Sequence, residues 1–347
     1  MRSLRAHVPT VLAVFVLVAA SYLFRLPPLL NARSTNSDAA VVGLQAMHIL
    51  RGELSPFLWG SGYQTSADSF VAALFFAVFG AKPVVLMLSS LTLHVIATLF
   101  VFATLKRRFG PWTCVLLTLP LVLSPSSVHT YALYPPRQFA LTLALAAIFV
   151  VDGAGLRFHE QRDAGPVSQG ALERRGRFRL AIGGLVATLA VSADPYTFLL
   201  VPIALLFAVL VSRDEVGVLA VRVGWFVAGA LFGLIPFVVL HRLSRASGGQ
   251  MGLTTEMLGH HFDLLVSDCL PWALSYKVFR ATDVMNYQPW APLPFRILGW
   301  IGALMVLAIV VYAFVAIVLP TLSWRARSIG FAAAATYPIS LAAFLVS

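Results

Sequence analysis

The sequence predicts an all-α, polytopic membrane protein, because of its composition, its long apolar runs and the placement of its basic residues. Of the 347 residues, 59% are hydrophobic and 11% are charged, and the mean hydropathy is +0.86. A soluble globular domain has about 25% charged and about 45–50% apolar residues, so these values exclude a water-soluble domain and a disordered chain. Cys114 and Cys269 form no CxxC or Cys/His pattern, which argues against a disulfide or zinc scaffold.

Nine apolar runs have about the length, roughly 17–25 residues, that a helix needs to cross a bilayer. The first run follows Arg2 and Arg5 and is interpreted as a retained signal anchor, because further spans follow and Arg25 begins a poor cleavage context. A cleaved signal peptide is the alternative. The runs predict one transmembrane domain over 1–347, with spans at 8–25, 84–105, 109–124, 138–153, 180–194, 196–212, 219–241, 297–319 and 328–347.

A shorter apolar run, from Phe70 to Phe79, lies between Asp68 and Gly80. As a helix it covers about 15–20 Å, which is short for a hydrocarbon core of about 30 Å. If this run crossed the membrane, the N-terminus and the basic turn at 106–108 would lie on opposite sides. The positive-inside rule therefore favours an interfacial helix here.

The basic residues cluster between the predicted spans. Fifteen of the 25 Lys and Arg residues lie in the N-terminus and around 106–108, 154–179, 213–222 and 325–327. The positive-inside rule places these segments in the cytoplasm. Most of the net charge of +11 is then an orientation signal, and we expect no nucleic-acid partner. The topology makes 154–179 a basic cytoplasmic loop and places outside the segments 26–82, 125–137, 194–196 and 242–296.

The first outer loop, 26–82, opens with a predicted surface helix. Ser37 is a good N-cap and places Asp38 in the first turn. The helix dipole favours an ionised Asp38, available to accept a proton from a hydroxyl, with simple helix capping as the alternative. Apolar and polar residues then form separate stripes, as in a helix on a membrane surface: Ala40, Leu44 and Met47 against Gln45, His48 and Arg51.

A second predicted surface helix begins at Ser66-Ala67-Asp68, after the aromatic stretch 59–64. Asp68, like Asp38, falls in the first turn of its helix. The two acids either face one cleft as a paired site or cap two separate helices. The spacing alone does not distinguish these arrangements.

The stretch DAAVVGLQAMHILRGELSPFLWGSGYQTSADSFVAALFFAVFGA, residues 38–81, resembles the first outer loop of bacterial GT-C glycosyltransferases. These integral-membrane enzymes include protein O-mannosyltransferases, lipid A aminoarabinose transferases and the RgtA/B/C/D-like proteins. The resemblance extends from about Ser37 to Val151. It implies a GT-C-like fold with two juxtamembrane helices and a large outer loop at 242–296. It also implies a location in the bacterial inner membrane with an extracytoplasmic active site.

The resemblance further implies an inverting transferase of cell-envelope glycosylation. Such an enzyme moves a hexosyl or pentosyl group from a polyprenyl-phosphate carrier to a glycan, lipid or protein acceptor. Asp38 matches the family's catalytic acidic position and would be the general base. Asp68 falls where many relatives have Glu and is the second catalytic candidate. Ala39 replaces a common second acid, and 125–137 lacks a carboxylate. Relatives continue through more helices beyond the position of Ser347, so we expect a C-terminally short member or a truncated reading frame.

The donor phosphate requires cations near the membrane surface. Four outer cations have a second interpretation besides phosphate binding. Lys277 and Arg280 are alternatively headgroup anchors, and the adjacent His260 and His261 alternatively belong to a solvated loop. Asp194-Pro195 is interpreted as a turn initiator. No metal site is predicted, and a divalent-metal requirement is not determined. Tyr63 and Gln64 are the candidates for hydrogen bonds to the sugar. The candidates for contacts with the donor phosphate are the outer cations Arg137, His260, His261, Lys277 and Arg280.

Two other functional classes remain open. A transporter or flippase for a lipid or small solute requires several ionisable residues at mid-bilayer, broken helices or an internal repeat. The sequence shows no clear repeat, and its acids lie mainly between the spans. A non-catalytic scaffold with the same fold is the third class. Asp38→Asn distinguishes it, because an enzyme would lose transfer and a scaffold would tolerate the change.

Overall fold

The computed structural model describes residues 2–123 except 31, 34 and 62, then 132–162, 166–212, 216–243, 255–269 and scattered positions between 297 and 335. Within these ranges the regular elements are helices, so the predicted all-α class is confirmed. A 3-10 turn spans Pro195–Leu200, and a π-helical turn spans Leu265–Cys269. The helices are α1 Arg2–Phe24, α2 Leu26–Leu30, α3 Ser37–Ile49, α4 Ala67–Phe79, α5 Pro83–Lys106, α6 Pro111–Val122, α7 Gln138–Arg162, α8 Pro166–Ala193, α9 Val201–Val211, α10 Val216–Gly233, α11 Ile235–Leu243 and α12 Thr255–Leu264.

The described helices make this a polytopic membrane protein. The third and sixth predicted spans correspond to shorter apolar helices, Pro111–Val122 and Pro195–Val211. The predicted spans 297–319 and 328–347 lie largely outside the described residues. Five helices are long and apolar enough to cross a membrane, and they coincide with the other predicted spans: His7–Phe24, Pro83–Lys106, Gln138–His159, Gln169–Ala193 and Val216–Leu240.

Helices α5 and α7 are parallel, and their contacts define the two ends of the helix bundle. Near the start of α7, the Thr142 hydroxyl donates to the carbonyl of Leu93, in the middle of α5, at 3.1 Å. Just after the finish of α5, Arg107 pairs with Asp152, farther along α7, at 2.9 Å. We call the end at which α5 and α7 begin the outer-loop end, and the end at which they finish the basic end.

Helices α8 and α10 are also parallel, and both begin at the basic end. Arg222 near the start of α10 pairs with Glu173 near the start of α8 at 2.7 Å. Farther along, the Thr188 hydroxyl donates to the Ala230 carbonyl at 2.8 Å. The 3-10 turn and α9 lie between them in sequence and return the chain to the basic end.

Small residues let the α8 and α10 backbones approach closely. A Cβ on Gly229 would overlap the Ala181 carbonyl, and one on Gly184 would overlap the Phe226 carbonyl. Close packing at glycines is a common way for helices to associate in membranes, where lipid chains are as apolar as the helices.

The basic segment 154–179, predicted as a loop, is helical wherever it is described. Residues 154–162 continue α7, and residues 166–179 belong to α8. Asp152 accepts from Arg107 and Arg108, and the Arg179 guanidinium donates to the Gly153 carbonyl at 3.0 Å. These bonds satisfy polar groups where the apolar part of each helix ends, so the helices extend beyond the hydrophobic runs that predicted them.

Helices α3 and α4 lie at the outer-loop end. The buried Gln45 amide of α3 donates to the Phe57 carbonyl at 2.8 Å and accepts from the Ser69 hydroxyl of α4 at 3.0 Å. Helix α4 has 13 residues, about 20 Å of helix. It begins beside the start of α7 and ends at Phe79, just before α5 begins at Pro83. Both of its ends therefore lie at the outer-loop end, in agreement with an interfacial helix.

Two sequence predictions for α3 are wrong in detail. The N-cap is Asn36 and not Ser37, because the extended Asn36 backbone lets its side chain accept from the Ala39 N–H at 2.8 Å. The predicted stripes are also reversed in part, since Leu44 is exposed and Gln45 is buried. Mostly small residues pack this helix against the rest of the protein. The buried Gln45 side chain also contributes to this packing, because it accepts a hydrogen bond from Ser69.

Arg25, at the finish of α1, is fully buried. Its guanidinium donates to the Leu121 carbonyl at 3.1 Å and to the Val122 carbonyl at 3.2 Å. These carbonyls belong to the last turn of α6, where no intrahelical donor is available. Arg25 therefore joins α1 to α6 at the outer-loop end.

Candidate functional site

A polar cluster lies at the outer-loop end, where α4 and α7 begin and α8 finishes. It consists of Asp68, Arg137, Asp194 and Gln64, and we call it the Asp68–Arg137–Asp194 cluster. Residues distant in sequence meet here because the intervening segments return to the same end of the bundle. The loop before α4 is fixed to the finish of α8 by Thr65, whose N–H and hydroxyl both donate to the Ala193 carbonyl.

Asp68 is buried in the first turn of α4. Its carboxylate accepts from the Arg137 N–H at 3.1 Å and from the Phe139 N–H at 3.2 Å. Burial and, to a smaller extent, the nearby Asp194 charge raise the pKa of Asp68 to about 6, against the opposing effect of the backbone donors. Asp68 therefore links α4 to the start of α7 and titrates close to neutral pH.

Arg137 connects the two carboxylates of the cluster. Its backbone has a φ of 99°, a conformation that non-glycine residues rarely adopt and that costs about 1–3 kcal/mol. The Asp68 carboxylate holds this backbone by accepting its N–H. The Arg137 side chain is 42% exposed, and its Nε lies 3.3 Å from Asp194 Oδ2. The result is a fixed cation that remains partly open to solvent.

Asp194 is buried at the junction of α8 and the 3-10 turn. One carboxylate oxygen accepts from the Tyr196 N–H at 3.0 Å, which confirms that Asp194 initiates the turn. The other accepts from the Gln64 amide at 3.1 Å and faces Arg137. Burial raises the pKa of Asp194, while the Tyr196 N–H and the Arg137 charge lower it. Sequence reasoning missed the ion pair, because an Asp-Pro junction carries no signal about a partner 57 residues earlier.

Two tyrosines lie beside the Arg137 guanidinium. The guanidinium carbon lies 4.9 Å from the Tyr196 ring centre, within the range of a cation–π contact. The half-exposed Tyr63 ring packs edge-on against Tyr196, with 6.2 Å between centroids. An aromatic surface therefore lies next to the exposed part of the cation.

The predicted sugar-binding residues Tyr63 and Gln64 occupy different environments. Tyr63 is half exposed, and Gln64 is 3% exposed with its amide nitrogen bonded to Asp194. Gln64 therefore supports the cluster from within, whereas Tyr63 is accessible from solvent.

Asp38 lies in the first turn of α3 and is exposed. Its described hydrogen bond is with the neighbouring Ser37 hydroxyl, at 3.4 Å. Gln45 contacts Ser69 in the first turn of α4, and Asp38 precedes Gln45 by seven residues, about 10 Å along a helix axis. The structure thus brings Asp68 into the polar cluster and leaves Asp38 on the exposed first turn of a neighbouring helix.

The remaining predicted cations lie farther along the chain. His260 is an exposed residue of α12. The His261 side chain, Lys277 and Arg280 lie outside the described part of the structure. Among the described residues, no group of three or more His, Cys, Asp or Glu side chains could hold a metal ion.

Comparisons with known proteins gave one similar solved structure. No protein-family model matches the sequence, and no curated protein matches it. The crystal structure of ArnT from Cupriavidus metallidurans in the apo state is 13% identical and aligns over 99% of this chain and 76% of that chain, with a TM-score of 0.37.

Proposed function

We propose that this protein is a GT-C-type membrane glycosyltransferase that uses a polyprenyl-phosphate sugar as its donor. One observation carries the proposal: a partly exposed arginine, fixed by two buried carboxylates, lies at the same end of an apolar helix bundle as the exposed Asp38. A lipid-linked donor with a phosphate requires this combination of an apolar surface and a nearby cation. The outer-loop end would face the extracytoplasmic side of a bacterial inner membrane.

The proposed reaction is a single displacement with inversion. The Asp38 carboxylate takes the proton of an acceptor hydroxyl as the hydroxyl oxygen attacks the anomeric carbon. A new carbon–oxygen bond forms, and the bond from that carbon to the phosphate oxygen breaks. Polyprenyl phosphate leaves with the electron pair, and Arg137 stabilises the additional negative charge.

The other members of the cluster have supporting roles in this proposal. Asp68 positions the Arg137 backbone and Asp194 positions its guanidinium, so both are positioning residues. Gln64 orients Asp194, and the exposed Tyr63 contacts the sugar. His260, His261, Lys277 and Arg280 remain candidates for contacts with the carrier phosphate.

Asp38→Asn tests the general base, because asparagine keeps the shape of the side chain and cannot accept the proton. Membranes containing each variant are incubated with a panel of radiolabelled polyprenyl-phosphate sugars, and transfer to membrane acceptors is measured. We expect a loss of about 100-fold or more at unchanged protein level. Glu53→Gln is the matched control, since Glu53 is an exposed acid of the same loop.

Two results of this experiment would contradict the proposal, each in a different way. Transfer at the parental rate by the Asp38→Asn variant would contradict the general-base role. A parental protein that transfers no sugar from any donor in the panel, and whose Asp38→Asn variant still complements a deletion strain, would favour a scaffold.

A further inference from the structure

A second polar site lies at the basic end, on the opposite side of the bundle from the Asp68–Arg137–Asp194 cluster. A cavity of about 860 Å³ opens there, between the first half of α8 and Trp225 of α10. Its wall combines three arginines and one acid with two aromatic rings: Glu173, Arg174, Arg175, Arg177, Phe178 and Trp225. The proposed transfer reaction uses none of these residues.

The positive charge of the cavity exceeds what its acid can neutralise. Glu173 accepts from Arg177 at 2.8 Å and from the buried Arg222 at 2.7 Å, so two arginines already compensate its charge. Arg174 and Arg175 are exposed, and no ion pair between either of them and a described acid is present. Two guanidinium groups on consecutive residues thus have their donors directed at the cavity or at solvent.

The flank of the cavity is apolar. Phe178 is 62% exposed and Trp225 is 45% exposed, and both belong to helices that have the length and hydropathy of membrane spans. Tryptophan is enriched at the level of lipid headgroups, because its ring is apolar and its N–H is polar. The arginines and the aromatic rings therefore lie side by side in the wall of one cavity.

We propose that this cavity binds the phosphodiester headgroup of an anionic phospholipid. Arg174 and Arg175 donate to the phosphate oxygens, and the first segments of the acyl chains lie along Phe178 and Trp225. Arginine is suited to this role because its planar guanidinium makes two parallel hydrogen bonds to a phosphate. Basic pockets between membrane helices bind anionic headgroups in this manner. A free phosphate would use the arginines and leave the aromatic flank without a partner.

Lipid retention tests the proposal. The purified protein is reconstituted in nanodiscs of phosphatidylcholine with added phosphatidylglycerol, extracted, and examined for bound lipid by native mass spectrometry. We expect bound phosphatidylglycerol in the parental protein and affinity about 30-fold lower in the Arg174→Gln/Arg175→Gln double variant, since each arginine contributes a factor of roughly five. Arg51→Gln is the matched control, because Arg51 is an exposed arginine of the outer-loop end.

Trp225 provides a second readout that does not depend on extraction. Phosphatidylglycerol with brominated acyl chains should quench part of the tryptophan fluorescence, and Trp225→Phe should remove that part. Equal phosphatidylglycerol binding by the parental protein and the double variant would overturn the proposal. So would equal retention of phosphatidylcholine, or full displacement of the lipid by millimolar inorganic phosphate, which would identify a site for free phosphate.

Discussion

At Asp68, burial and hydrogen bonding act on one carboxylate in opposite directions. Loss of solvent favours the neutral acid, whereas the N–H groups of Arg137 and Phe139 favour the carboxylate, and burial has the larger effect. The pKa of about 6 lies well above the ordinary value of 3.8. Between pH 4 and pH 6, approximately, the folded protein therefore keeps a proton that the unfolded chain has released.

This difference predicts a dependence of stability on pH. The Asp68 contribution is fully present below about pH 4 and is lost as pH rises to about 6, by up to about 3 kcal/mol. The buried Asp194 acts in the same direction, because burial raises its pKa as well. We expect the apparent melting temperature in detergent to fall over this range, and to fall less in the Asp68→Asn variant, which stays neutral.

Glu53→Gln is the control for this measurement. The His48 hydrogen bond lowers the pKa of the exposed Glu53, whereas burial raises that of Asp68. Replacing Glu53 with glutamine should therefore leave the fall of the melting temperature between pH 4 and pH 6 in place. If Asp68→Asn showed the same pH dependence as the parental protein, burial of Asp68 would not be the cause.

At the scale of elements, the contact between α8 and α10 is among the most extensive contacts of the described helices. It depends on glycines at which the two backbones approach more closely than any side chain allows. At Gly229 the obstacle is the Ala181 carbonyl, which belongs to the backbone and cannot rotate away. Gly224, on the same helix, has open space around it.

These two glycines form a matched pair for mutation. Gly229→Ala should destabilise the protein by about 1–3 kcal/mol, because the added methyl group separates the helices. Gly224→Ala should be neutral or stabilising by up to about 1 kcal/mol, since alanine has the higher helix propensity. Thermal unfolding of both variants, followed by fluorescence-detected size-exclusion chromatography, makes the comparison. Equal melting temperatures would contradict the close approach of α8 and α10.

At the scale of the whole molecule, ionisable groups gather at the two ends of an apolar bundle. The outer-loop end has Asp68, Arg137 and Asp194, and the basic end has the ion pairs centred on Asp152 and Glu173. Because the two sites lie at opposite ends of the bundle, the proposed transfer at one end and the proposed headgroup binding at the other use separate sets of residues.

The proposed orientation predicts opposite accessibility for the two ends. In a background with Cys114 and Cys269 replaced by serine, Glu53→Cys should react with an impermeant thiol reagent in intact cells. Arg174→Cys should react only after lysis, because the positive-inside rule places the basic end in the cytoplasm. Both parent residues are exposed, so a difference in labelling reports the side of the membrane and not burial. Labelling of Arg174→Cys in intact cells would reverse the orientation.

The sequence determined the fold class and most of the described spans, because bilayer-crossing helices need long apolar runs whatever their neighbours are. It also located the interfacial α4, since a 13-residue helix is too short to cross a bilayer. Short-range signals were less reliable. The N-cap is Asn36 instead of Ser37. The arginine-rich 154–179 segment is helical where it is described, and Glu173 and Arg179 bond to neighbouring helices.

Only the tertiary structure decided which polar residues meet. Arg137 was a candidate from the sequence, but its partners Asp68 and Asp194 lie 69 and 57 residues away along the chain. Hydrophobic runs specify that helices cross, whereas their packing specifies which ends and faces come together. Asp38 and Asp68 both lie in the first turn of a helix, and the sequence does not distinguish them. In the structure Asp38 is exposed, whereas Asp68 is buried against another backbone.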